Sequence, residues 1–215
     1  MCVSKCIIFC AGGFTSLAAP IKPDDFLIAA DGGLRHLEVL TLTPNAIIGD
    51  FDSLGFTPTN ATVFPVEKDD TDAMLAVRKA LELGYKEILL YGALDGPRLD
   101  HTIANLQTLQ FLADNGAVGY LVGNDYIATV LKNSTLSFPE TATGILSVFC
   151  MGKDAHGVTL TGLKYPLFDG TLQAGFPLGV SNHFIGASAT VQVTNGSLLL
   201  LYDRINGFPQ REVDR

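Results

Sequence analysis

The stretch Lys5–Gly13, KCIIFCAGG, is an apolar run that stops on two glycines. That pattern belongs to a strand buried on both faces whose carboxyl end meets a ligand-facing turn. It recurs in FLIAADGG (Phe26–Gly33), PNAIIGDFD (Pro44–Asp52), EILLYGA (Glu87–Ala93) and GYLVG (Gly119–Gly123), each short, mostly branched and apolar, with glycines or acids at the carboxyl end. Helical spacing lies between these runs. From Asp70 to Leu83, Ala73, Val77, Ala80 and Gly84 fall three or four residues apart, and Gly84 marks the stop. A second helix is expected from near Leu99 to Ala113, with Leu99, Ile103, Leu106 and Leu109 as its buried stripe and Asp100 and His101 in its first turn. Strands alternating with helices imply an open α/β sheet.

After about Tyr126 the texture changes. TLSF, GILSVFCM, VTLTGLKYPL, SATVQV and SLLLLYDR are short apolar or alternating runs separated by turn residues, with no long amphipathic helix among them. A compact antiparallel domain is expected there. Asn195-Gly196, between SATVQV and SLLLLY, signals a hairpin because both residues tolerate the positive φ of a type I′ turn. The polar tail beyond Arg204 reads as loosely ordered.

The 215 residues, 47% hydrophobic and 17% charged, suit a folded soluble protein of one or two domains. With 14 lysines and arginines against 22 acids, net charge −8, no broad basic surface exists to neutralise a nucleic-acid backbone. Cys2, Cys6, Cys10 and Cys150 form no CxxC pair and read as buried thiols. The start, MCVSKCIIFCAGG, lacks a basic region followed by a long apolar stretch, and no later segment approaches the roughly 20 apolar residues that span a bilayer. A reducing cytoplasm is the expected location, with no membrane partner.

Acids gather at strand ends and helix starts in the first half: Asp31, Asp50, Asp52, Asp69, Asp70, Asp72 and Asp100. One crevice can collect several of them. Asp50 and Asp52 in GDFDS alternate, so they face one side of an extended chain, and a hard cation such as Mg²⁺ takes one or two such carboxylates plus phosphate oxygens. An isolated D-x-D is equally at home in a solvated or capping turn. In KDDTD (Lys68–Asp72), Asp70 or Thr71 can cap a helix, while Asp72 serves either a ligand or the helix dipole. GPRLDHTIAN (Gly96–Asn105) joins a glycine turn, a guanidinium able to fork two phosphate oxygens, and a carboxylate and imidazole at a helix start. Its plainer reading is an Arg98–Asp100 ion pair at a helix cap. ADGG (Ala30–Gly33) and AGG (Ala11–Gly13) can accept a nucleotide, but neither matches GxGxxG or a Walker A loop. Any ATP chemistry must therefore use another phosphate cradle, and aspartate-held metal with Arg98 is the evident substitute.

In order and spacing, ADGG, GDFDS, KDDTD, GPRLDHTIAN and the distant GVSNHF closely resemble the thiamine pyrophosphokinase family over nearly the whole chain. The resemblance implies a catalytic α/β domain over residues 1–126, built on a Rossmann-like open parallel sheet. It implies a smaller β-sandwich-like thiamine-binding and dimerisation domain over 127–215, and a homodimer with active sites between subunits. Mg²⁺ would be the cofactor and ATP the co-substrate, and the thiamine hydroxyl would attack the β-phosphorus as AMP departs. By motif position Asp50, Asp52, Asp72 and Asp100 would hold the metal, and Arg98 would meet phosphate. Asp72 or Asp100 would accept the hydroxyl proton. Asp31, Gly32, Thr71 and Asn105 would line the ATP side. Ser181, Asn182 and Tyr165 would face thiamine, Ser181 and Asn182 reaching the pocket from the partner subunit. Two departures stand out: His183 replaces a frequent glutamate after SN, and Tyr165 stands where some relatives carry tryptophan. The competing readings are a pyrophosphokinase acting on another heterocyclic alcohol such as a pterin, a non-catalytic thiamine- or nucleotide-sensing module, and an α/β domain whose acids merely cap helices.

Overall fold

The structure, a computed structural model, describes residues 4–49, 62–63 and 70–212. The chain divides into two compact units, Met1–Asn124 and Asp125–Arg215.

In the first unit, among the described residues, the strands are β1 (Cys6–Phe9), β2 (Phe26–Ala30), β3 (Ala46–Gly49), β4 (Thr62–Val63), β5 (Glu87–Tyr91) and β6 (Val118–Val122). They pair in the order β6-β5-β1-β2-β3-β4, every pair parallel. The order reverses between β1 and β5, and the loops leaving their carboxyl ends open the crevice where such sheets take ligands. All of β1 is buried, and Phe9 stacks on Tyr91 of β5 at 5.4 Å. The helices are α1 (Leu34–Val39), α2 (Asp72–Glu82) and α3 (Leu99–Asp114). Six-residue α1 is too short to announce itself by periodicity.

Helix α2 starts two residues later than expected because Thr71, not Asp70, is the cap, its Oγ1 accepting from the Met74 amide at 3.2 Å. Leu83 ends it and Gly84 follows at φ 88°. Helix α3 has nearly the expected ends but only part of the expected face, Leu109 being the one residue of that stripe that is fully buried. Leu99 and Ile103 stand 72% and 51% exposed, whereas Asn105, Thr108, Leu109 and Leu112 are buried. Polar ties set this rotation: Asn105 Nδ2 donates to the Ala93 carbonyl at 2.7 Å and Thr102 Oγ1 to the Leu94 carbonyl at 3.3 Å, fastening the helix to the loop after β5.

The second unit contains β7 (Tyr126–Lys132), β8 (Thr135–Phe138), β9 (Ile145–Cys150), β10 (Ala155–Thr161), β11 (Leu167–Leu172), β12 (Gly179–His183), β13 (Ala189–Gln192), β14 (Ser197–Asp203) and β15 (Gln210–Glu212). Antiparallel pairing joins them in two sets, β12-β9-β14-β7 and β11-β10-β13-β8-β15. Aromatic rings close the space between the sets, Phe138 of β8 lying 5.1 Å from Tyr202 of β14.

Two expectations fail here. Asn195-Gly196 does not make a β13–β14 hairpin: β13 pairs with β8 and β10, β14 with β7 and β9, so this turn carries the chain from one sheet to the other. The tail beyond Arg204 is ordered through Glu212. β15 pairs with β8, and Arg211 Nη2 donates to Thr129 Oγ1 at 2.6 Å and to the Val130 carbonyl at 3.0 Å.

Cys6 and Cys10 are buried free thiols, and burial pushes both up to about 12. Each is therefore a neutral thiol at any ordinary pH, and the thiolate is the reactive form. We expect neither to react with a disulfide reagent at pH 8 until the protein unfolds; peptide mapping after labelling checks this, and modification of either in the native state would contradict the burial.

Candidate active site

A cavity of about 250 Å³ opens at the carboxyl ends of β1, β2 and β5, walled by the starts of α2 and α3. Of the candidate site side chains singled out from sequence, Asp31, Thr71, Asp72, Arg98, His101 and Asn105 line it. Asp31 opens a tight 3-10 turn after β2 with its own backbone at φ 46°, a left-handed conformation uncommon for a residue with a side chain. Gly32, next to it, is buried and does not line the cavity. Thr71 spends its hydroxyl on the α2 cap, and Asn105 spends its amide on Ala93, so both shape the wall. Asp50 and Asp52 lie outside the described residues.

Asp100 departs from expectation. It does not line the cavity; Arg98 Nη2 and Nε reach its two carboxylate oxygens at 2.6 and 3.3 Å, both side chains well exposed. The plainer reading of this motif, an ion pair at the helix start, holds for these two side chains. Hydrogen bonding from the guanidinium holds the Asp100 carboxyl below its ordinary value, so the pair persists above that value and is lost as pH falls through the lowered one. Asp70 likewise pairs outward, accepting from Arg78 Nε at 2.8 Å.

The AGG turn is not an open anion cradle. Gly12 N–H donates to the Gly92 carbonyl at 2.9 Å and Gly13 N–H to the Asp95 carbonyl, so both amides are committed to the loop after β5. Asp95 itself lines the cavity, and its Oδ2 accepts from the Asn124 amide. It stands one residue before the GPRLDHTIAN motif, and the sequence signal for it is a carboxylate in the glycine turn after an apolar strand. Among the described residues no group of three or more His, Cys, Asp and Glu side chains is gathered as a metal site. Asp31 and Asp72 bring two carboxylates to one cavity, a hard-oxygen set suited to Mg²⁺, which takes one or two protein carboxylates alongside phosphate oxygens.

In the second unit, Ser181 sits exposed at φ 57°, where the β12–β9 register slips, its amide donating to Ser147 Oγ at 3.0 Å. A slip of this kind re-aims a side chain. Tyr165 is 58% exposed, with Lys164 Nζ 5.3 Å from its ring centroid. Asn182 is buried.

Compared with known families, residues 18–118 match the thiamin pyrophosphokinase catalytic domain, and residues 133–198 match the thiamin pyrophosphokinase vitamin B1 binding domain. The chain belongs to the thiamine pyrophosphokinase family. The two thiamine pyrophosphokinase matches fall one in each compact unit. A thiamine pyrophosphokinase of Bacillus subtilis is 28% identical over 183 residues, 81% of this chain and 85% of that one. The crystal structure of thiamine pyrophosphokinase from Bacillus subtilis superposes with a TM-score of 0.80 at 27% identity, covering 93% of this chain and 99% of the other. That of Geobacillus thermodenitrificans gives 0.76 at 28%, covering 92% and 97%. The mixed α/β architecture, with its separate antiparallel sheet, is thus shared along almost the full length of these thiamine pyrophosphokinases.

Proposed function

We propose that the chain is an ATP:thiamine diphosphotransferase that moves the terminal diphosphate of ATP onto the thiamine hydroxyl, giving thiamine diphosphate and AMP. The observation that carries this reading is one cavity at the strand reversal, lined by Asp31, Asp72 and Arg98, in a chain matched over both parts of the family. The all-parallel order supports a Rossmann-like use of the sheet, in which nucleotide lies across the β1 and β5 loops.

Asp31 and Asp72, with Asp50 and Asp52 of GDFDS, would hold Mg²⁺. Bound there, the cation neutralises phosphate charge that a protein of net charge −8 would otherwise repel. Arg98 lines the cavity, and once it lets go of Asp100 its guanidinium would be free to fork two phosphate oxygens. The thiamine oxygen bonds to the β-phosphorus, the bond between that phosphorus and the bridging oxygen to the α-phosphorus breaks, and AMP leaves with the electron pair. Asp72 takes the hydroxyl proton, being on the cavity wall where Asp100 is not. Positioning and charge neutralisation carry most of the acceleration.

The family resemblance and the exposed Ser181 and Tyr165 support a homodimer in which these residues serve thiamine at the partner's cavity. Buried, unpaired thiols support a reducing, cytoplasmic setting. The acidic balance speaks against a nucleic-acid partner.

Purified protein given ATP, Mg²⁺ and thiamine should release AMP and thiamine diphosphate in equal amounts. AMP formed only with a pterin alcohol would move the assignment to another heterocyclic acceptor, and no product from folded protein would leave a binding module. Arg98→Lys keeps the charge but loses the fork, and should raise the KM for ATP about tenfold. An unchanged KM and rate would remove the bidentate contact.

A further inference from the structure

Asn182, in β12, is 3% exposed. Its carboxamide is engaged at both ends within the protein. Oδ1 accepts from the Tyr165 amide and from the His183 amide, each at 2.9 Å, and Nδ2 donates to the Tyr165 carbonyl at 2.7 Å. One side chain therefore holds both the N–H and the C=O of Tyr165. The adjoining backbone completes the clip: Lys164 N–H donates to the His183 carbonyl at 2.9 Å, and Leu163 bridges Phe184. While the backbone of Tyr165 is gripped this way, its ring stays 58% exposed and already has a cation, the Lys164 ammonium, 5.3 Å from its centroid.

We infer that Asn182 is a positioning residue for Tyr165 and not a contact to thiamine. It fixes the backbone of an exposed aromatic so that the ring meets a cationic heterocycle already oriented, and binding need not order the loop. Buried to this degree and engaged through both its oxygen and its nitrogen, the carboxamide reaches a ligand only by loosening its grip on Tyr165. The inference rests on the reading of Tyr165 as thiamine-facing.

The test is a cycle of Asn182→Ala, Tyr165→Ala and the double variant, with KM for thiamine, KM for ATP and kcat measured for each, plus amide hydrogen exchange at Tyr165. Asn182→Ala should raise the thiamine KM about tenfold, the order of one lost aromatic–cation contact, with kcat and the ATP KM changed little. Tyr165→Ala should do the same, and the double variant should be no worse than Tyr165→Ala. Exchange at the Tyr165 amide should accelerate in Asn182→Ala. Asn182→Ser, which keeps a small polar group, carries the same comparison should the alanine variant fold poorly.

If Asn182→Ala raises the thiamine KM as much in the Tyr165→Ala background as in the native one, Asn182 touches thiamine directly and the inference is overturned. Unaltered exchange at Tyr165 also overturns it. An unchanged thiamine KM in Tyr165→Ala strikes instead at the reading of Tyr165, and is told apart because exchange at that amide still responds to Asn182.

Discussion

Asp72→Asn should lower kcat by about 100-fold or more, the usual cost of removing one preorganised electrostatic group from a transfer site, while the protein still folds. The side chain is half-buried on the cavity wall, in the first turn of α2 and directly after the capping Thr71. Asparagine keeps its shape and removes its charge, so a phosphate-rich substrate loses a carboxylate able to hold a cation and to take a proton. The structural loss is small by comparison. An acid in the first turn contributes about 0.3–1 kcal/mol through the helix dipole, and the Thr71 cap stays in place. Turnover measured across a Mg²⁺ series beside a thermal melt separates the two effects. Near-native kcat at low Mg²⁺ would remove Asp72 from the chemistry, and a collapsed melting temperature would make it a folding residue.

Gly33→Ala should cost about 3 kcal/mol of stability, at the upper end for an inserted methyl that finds no room. The backbone of Gly33 is ordinary, φ −61°; the obstacle is space. A Cβ there would fall on the carbonyl oxygen of Phe9 and within 2.9 Å of the Cys10 nitrogen. Phe9 cannot retreat, because it is fully buried and stacked on Tyr91. A loss of this size is a large part of the roughly 5–15 kcal/mol that keeps a domain folded. The displaced turn also carries Asp31, so activity should fall with stability. Urea unfolding checks the first effect; a midpoint equal to the native one would mean that the turn and β1 can separate without cost.

The parallel strands were legible because buried strands read as apolar runs and their ligand-facing ends need glycine or acid, which KCIIFCAGG and FLIAADGG display openly. The face of α3 was not. Its sequence offers two overlapping stripes, and the buried one contains Asn105 and Thr108; the Asn105 hydrogen bond to Ala93 fixes the rotation and Thr108 is satisfied within the helix at the Ala104 carbonyl, and neither leaves a mark in a hydrophobic pattern. Asn195-Gly196 shows the same limit for turns: tolerance of positive φ says that the chain bends there, not which sheet receives it. At the cavity, the motif order located Asp31, Asp72 and Arg98, but distinguishing Asp100 from them required side-chain directions. The hold of Asp95 on Asn124 and the double grip of Asn182 on Tyr165 join segments distant in sequence, and no spacing rule reaches them.

The short strand β15 closes one edge of its sheet by lying against β8. Removing residues 207–212 would uncover the main chain of TLSF, an uncharged run that holds the strand-favouring Thr135 and Phe138, together with its unpaired donors and acceptors. A clipped chain would then present a template to its neighbours in solution. Proteolytic trimming at this end is therefore expected to show as self-association in solution.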